Sequence, residues 1–139
     1  MSPVHVHLAL NHIPVLFVPL VVLLCLKAAA SRRDNDANTA HWLLLLCALI
    51  IWPIYWSGSE SAVQVGSLQI DSDKLSQHQE WALLALALTT LLGLAVPVVR
   101  RRGDRWVLAF FLVIGVIDSM VLCYVAWLGG CIRHLELGF

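Results

Sequence analysis

Six histidines occur in 139 residues, and three of them, His12, His78 and His134, stand at the ends of long apolar runs. Near them in chain order are the carboxylates Glu60, Glu80 and Glu136 and the guanidinium of Arg133. Two imidazoles from different helices, held at one depth, are the donor set of a non-covalent b-type haem. The same histidines with Glu60, or with Glu80 and Glu136 as alternative ligands, would also suit a haem-free mono- or dinuclear iron or copper centre. His78-x-Glu80 and His134-x-Glu136 lie about 200° apart around a helix, however, so neither pair can face one ion unless the backbone there is not helical. Arg133 offers a rigid fork that matches a carboxylate such as a haem propionate. The cysteines Cys25, Cys47, Cys123 and Cys131 have no Cys-x-x-Cys or Cys-x-x-Cys-His spacing, which excludes covalent c-type attachment.

The elements that must position these groups follow from hydropathy. The chain is 60% hydrophobic and 13% charged, with a mean hydropathy of +0.81, whereas soluble chains are about a quarter charged. Apolar runs cover Leu10 to Ala30, Trp42 to Trp56, Trp81 to Val99 and Val107 to Leu128. A span of about 20 residues crosses a bilayer, so the pattern predicts an all-α, integral-membrane, antiparallel four-helix bundle. It forms a single domain over residues 1–139, with helices near 3–30, 40–58, 72–100 and 105–132. Ser2-Pro3 is a good helix start. That start puts His5 and His12 on one face, and bends at Pro14 and Pro19 would aim His12 into the bundle. Asp34 to Thr39 reads as a polar loop, Ser57-Gly58-Ser59 as the end of the second helix, Pro97 as a stop and Gly129-Gly130 as a break that turns His134 inward. Trp52, Tyr55 and Trp56 read as an interfacial belt, His5 and His7 as a solvated terminus, and His41 as an interfacial histidine. No internal repeat or low-complexity tract is found.

Seven of the nine basic residues, Lys27, Arg32, Arg33, Arg100, Arg101, Arg102 and Arg105, fall at one end of the bundle. The positive-inside rule makes that end cytoplasmic and sends both termini outward, to the periplasmic side of a bacterial inner membrane. The first apolar run has no Lys or Arg before it, so it reads as a retained helix rather than a signal peptide. The outer rim then collects His12, Glu60, His78, Glu80, Arg133, His134 and Glu136. No basic stretch carries interleaved aromatics, and nothing supports nucleic-acid binding.

On the third helix His78, Ala82, Ala85 and Thr89 share one stripe, where small side chains below a histidine leave room for a flat cofactor or for close helix packing. Asp118, in mid-run, reads as a proton-route residue or a polar clamp, at the depth of Thr89 and Thr90.

Four pieces, Asn11-His12-Ile13-Pro14, Ser57-Gly58-Ser59-Glu60-Ser61-Ala62, His78-Gln79-Glu80-Trp81-Ala82 and Gly129-Gly130-Cys131-Ile132-Arg133-His134-Leu135-Glu136, resemble a family of small, largely uncharacterised bacterial four-helix membrane proteins similar to b-type cytochrome bundles. The resemblance spans nearly the whole chain. It departs at Gln79, where the family tends to carry an acid, and at Leu135, where it tends to carry a proline. It implies a b-type cytochrome-like bundle that works with respiratory cytochromes; with the histidine rim, the reading is haem b near the periplasmic face and electron transfer as a subunit of a respiratory redox complex, between a quinone and a periplasmic c-type cytochrome. His78 is then one axial ligand, with His12 or His134 opposite it. An assembly subunit without a cofactor is the remaining reading.

Overall fold

The structure, a computed structural model, describes residues 2–31, 34–65, 72–102 and 105–133. Apart from the lead-in at Ser2 and the turn at Asn11, all of these are helical, in the order α1 (Pro3–Leu10), α2 (His12–Ser31), α3 (Asp34–Val65), α4 (Ser72–Arg102) and α5 (Arg105–Arg133). Four stretches are long and apolar enough to cross a membrane: Pro3–Ser31, Asn35–Val63, Ser72–Arg102 and Arg105–Ile132. Helices suit that setting because each satisfies its own backbone where no water can.

Several sequence-based boundaries move. The first span is broken at Asn11: Pro14 cannot donate to the Leu10 carbonyl, and α1 stops at Leu10, with the Asn11 amide still bonded to the His7 carbonyl at 2.9 Å. Asp34 to Thr39 is helix rather than loop; Thr39 bonds back to the Asn35 carbonyl (3.0 Å), and Lys27 of α2 pairs with Asp36 (3.3 Å). Ser57-Gly58-Ser59 does not end α3, because Ser57, Ser59 and Ser61 donate their hydroxyls back to the carbonyls of Ile54, Trp56 and Ser57. Pro97 and Gly129-Gly130 likewise lie inside α4 and α5.

The helices close a ring in which α2 packs on α3, α3 on α4, α4 on α5 and α5 on α2, with α1 against α3. One core layer holds Val18, Cys47, Ile51, Ala85, Leu86, Val121 and Leu122. A second, nearer the arginine end, holds Val21, Cys25, Ala40, Leu44, Leu92, Val96 and Phe111. Small residues set how closely the backbones approach. A Cβ on Gly93 would stand 2.5 Å from the Ala48 Cβ, and one on Gly115 would stand 2.9 Å from Val22 Cγ2.

The tertiary structure also contains a repeat that residue identity conceals. Shifting the first hairpin by 71 residues carries Ser31 to Arg102 and Asp34 to Arg105, the matching helix boundaries of the second hairpin. The buried positions Pro14, Val18, Val21, Val22 and Cys25 fall on the buried positions Ala85, Thr89, Leu92, Gly93 and Val96. Ala40, Leu44, Cys47 and Ile51 fall on Phe111, Gly115, Asp118 and Leu122, again all buried. Within the ring, exchanging the hairpins amounts to a half-turn about the bundle axis, the parallel repeat known in several membrane folds. The identities that survive the shift include His7 with His78, Trp56 with Trp127 and Gly58 with Gly129, all at the histidine end.

Replacing Gly93 with Val forces α4 away from Ala48. Overpacking of this kind costs about 1–3 kcal/mol; the expected outcome is a lower unfolding midpoint in detergent, whereas Val on outward-facing Leu94 leaves the midpoint unchanged.

Candidate functional site

Two histidines enter the bundle at one end, and each rests on a glycine of a neighbouring helix. His7, on α1, lies over Gly58 of α3. A Cβ at Gly58 would sit 2.8 Å from His7 Cε1 and 2.9 Å from Nδ1, so only glycine admits the ring there. His7 Nδ1 is 2.9 Å from the Ile54 carbonyl oxygen. A carbonyl can only accept, which puts a proton on Nδ1 and makes Nε2 the nitrogen that carries the lone pair in the neutral ring. Metal-binding histidines are oriented in this way, with one nitrogen anchored to a backbone carbonyl and the other presented as donor.

The second seat is the repeat mate of the first. His78, on α4, lies over Gly129 of α5, where a Cβ would stand 3.2 Å from His78 Cε1. The Val125 carbonyl, equivalent to that of Ile54, is its polar neighbour. Nδ1 of His78 is buried and reaches full hydrogen-bond geometry with no group among the described residues. The two rings are close enough to act on each other electrostatically. His7 and Gly58 are separated by 51 residues, and so are His78 and Gly129.

His7 is therefore not part of a solvated terminus, as its position near the start of the chain suggests. His12 also departs from expectation: it is exposed on the outside of the bundle, in the same helical phase as exposed His5. At 100° per residue those two share a face, and it is the face turned away from the core. The structure brings His7, not His12, to His78. Glu60 and Glu80 are exposed. Arg133 closes α5, but its side chain, together with His134 and Glu136, lies outside the described residues. Ala82 is half-buried and Ala85 is 2% exposed, so the stripe below His78 does face the interior. Among the described residues no three His, Cys, Asp or Glu side chains converge as a metal site. The repeated His-to-Gly spacing is the signal that picks out His7 from sequence.

Deeper in the bundle, Thr89 donates to Asp118 Oδ2 at 2.8 Å, and both side chains are fully buried. Cys47, the repeat mate of Asp118, lies beside it. The other carboxyl oxygen, Oδ1, has no partner among the described residues. This is a polar clamp between α4 and α5 in the middle of the membrane span, where such a bond is worth about 0.6 kcal/mol on average. At the arginine end His41 is buried near Arg100, which donates to Asn38 at 3.1 Å.

The Gly58 seat makes a direct prediction. Nitrogen chemical shifts of the His7 ring report the Nδ1–H tautomer in the native protein, and Gly58→Val displaces the ring and abolishes that signature; Val at the neighbouring Ser59 leaves it in place. No family model, curated protein or solved structure matches this chain.

Proposed function

We propose that this is a membrane-embedded electron-transfer protein holding one b-type haem between His7 and His78, as a subunit of a respiratory redox complex. The observation that carries the reading is the pair of equivalent seats. One imidazole from each half of the repeat lies at the same end of the bundle, on a glycine, and the neutral His7 ring carries its lone pair on Nε2. Two axial imidazoles from different helices are what a b-type haem requires. The glycines fit this use, since each leaves out a Cβ that would crowd the ring.

When bound, the haem supplies a one-electron couple. The protein's part is to orient the two rings, to surround the group with an apolar wall that excludes water, and to anchor its propionates. Arg133 and His134 follow Gly129 by four and five residues in sequence and are assigned to the propionates; the guanidinium fork suits a carboxylate. Seven of the nine basic residues gather at the opposite end, so the positive-inside rule turns the histidine end outward, toward a periplasmic c-type cytochrome, in a bacterial inner membrane. A quinone in the bilayer is the proposed electron source. A haem-free iron or copper centre has less support, because no three His, Cys, Asp or Glu side chains converge among the described residues.

The test is the absorption spectrum of purified protein and its His→Ala variants. A Soret band with a pyridine-haemochrome signal at one haem per chain is expected. It is lost in His7→Ala and His78→Ala and kept in His12→Ala. Protein that carries no porphyrin, or in which removing His12 abolishes the band while removing His7 does not, overturns the assignment.

A further inference from the structure

The half-turn that relates the two hairpins also shows where they differ. In the second hairpin Trp81, Tyr124 and Trp127 form an aromatic cluster at the histidine end. Trp81 meets Tyr124 edge-on at 5.0 Å, and Tyr124 stacks on Trp127 at 5.7 Å with the planes 25° apart. The equivalent residues of the first hairpin are Leu10, Pro53 and Trp56. Trp56 keeps its place but loses the ring that would lie on it, because Pro53 stands where the tyrosine would be. Ser57 likewise stands where the bulkier Leu128 is.

What this leaves is a groove of about 280 Å³ between α1 and α3, lined by Pro3, Val6, Pro53, Trp56, Ser57 and Glu60. Trp56 is 71% exposed beside it. Glu60, whose equivalent is Cys131, stands exposed in the lining. Val6 and Ser57 are the chain neighbours of His7 and Gly58, so the groove belongs to the same helix pair as the first histidine seat.

The second hairpin indicates the occupant. There the space against the tryptophan is filled by a phenol ring, Tyr124; here the ring is missing and a carboxylate has been added. We propose that this groove binds the head of a membrane-soluble hydroquinone. The ring stacks on Trp56 as Tyr124 stacks on Trp127, a hydroxyl donates to the Glu60 carboxylate, and the apolar tail leaves along Pro3 and Val6. A hydroxyl donated to a carboxylate is among the stronger hydrogen bonds, and stacked rings with centroids 4.5–7 Å apart attract beyond their buried area. The proposal deepens the electron-transfer reading by naming its substrate class and placing it beside the His7 seat. The binding itself does not require haem.

The experiment uses the full chain in detergent with a decyl-substituted benzohydroquinone and, as control, its dimethyl ether. Binding is read as saturable quenching of tryptophan fluorescence. The hydroquinone is expected to bind at least tenfold more tightly than the ether, and Glu60→Gln is expected to remove that difference. Pro53→Tyr rebuilds the ring found in the second hairpin; it is expected to weaken binding at least tenfold with the thermal midpoint retained. If Pro53→Tyr fails to fold, the Glu60→Gln and ether comparison decides alone. The full chain prepared without porphyrin is expected to bind the hydroquinone as the native chain does, which keeps failure of the haem assignment separate from failure of this one. Equal binding of hydroquinone and ether overturns the proposal, as does native-strength binding by Glu60→Gln. So does displacement of the probe by vesicles bearing a quaternary-ammonium headgroup but not by vesicles without one, which would mark a cation site on Trp56 and Glu60.

Discussion

At the histidine end of this bundle, each imidazole that turns inward lies where the facing helix has no side chain. That steric condition, met once at Gly58 and again at Gly129, governs the histidine end of the molecule. With a Cβ at Gly58 the His7 ring would meet carbon at 2.8 Å and would have to move; with one at Gly129 the His78 ring, at 3.2 Å, would have to give by a few tenths of an ångström. The carbonyls of Ile54 and Val125, one turn before each glycine, lie where they can hold the ring nitrogen. The seat is thus made by backbone: an absent side chain for the ring to lie on and a carbonyl to orient it.

The half-turn relating the hairpins explains why there are two such seats at one depth. A parallel repeat delivers equivalent residues to the same end of the bundle and on opposite sides of its axis. What the repeat keeps is the burial pattern, along with His7/His78, Gly58/Gly129 and Trp56/Trp127; most other pairs have changed identity. Core positions in a membrane need only be apolar or small and fill the available volume, so repeat mates such as Val21 and Leu92 can differ. A ring on a backbone is not interchangeable in this way, which accounts for the survival of both partners.

The halves differ where function would be asymmetric. Asp118 replaces Cys47 and Thr89 replaces Val18, giving one hydrogen-bonded clamp in mid-span with a spare carboxyl oxygen. Pro53 replaces Tyr124, which opens the groove beside Trp56. The break at Asn11 affects the first span but not its counterpart, α4, because only the first carries a proline three residues beyond that point. Asn11 then turns its Oδ1 into the interior without a partner among the described residues. One scaffold thereby presents two like imidazoles and unlike surroundings.

Much of this was legible in the amino-acid order. Four spans, their approximate limits, the all-helical class, the depth of Asp118 against Thr89 and the inward stripe of His78, Ala82, Ala85 and Thr89 all follow from hydropathy and helical period, which depend on neighbours along the chain. The glycines and serines misled, because their usual role at helix ends yields inside a membrane, where leaving the helix strands backbone groups with nothing to bond. Which histidines converge was not decided by order either. His5 and His7 differ only in phase on α1, His12 opens α2 beyond the break at Asn11, and the inward position is chosen by what lies opposite. The packed bundle selects His7 by placing Gly58 across from α1: the selecting feature is a gap on another helix, and the 51-residue spacing that repeats at His78 and Gly129 acquires its meaning only once the helices lie side by side.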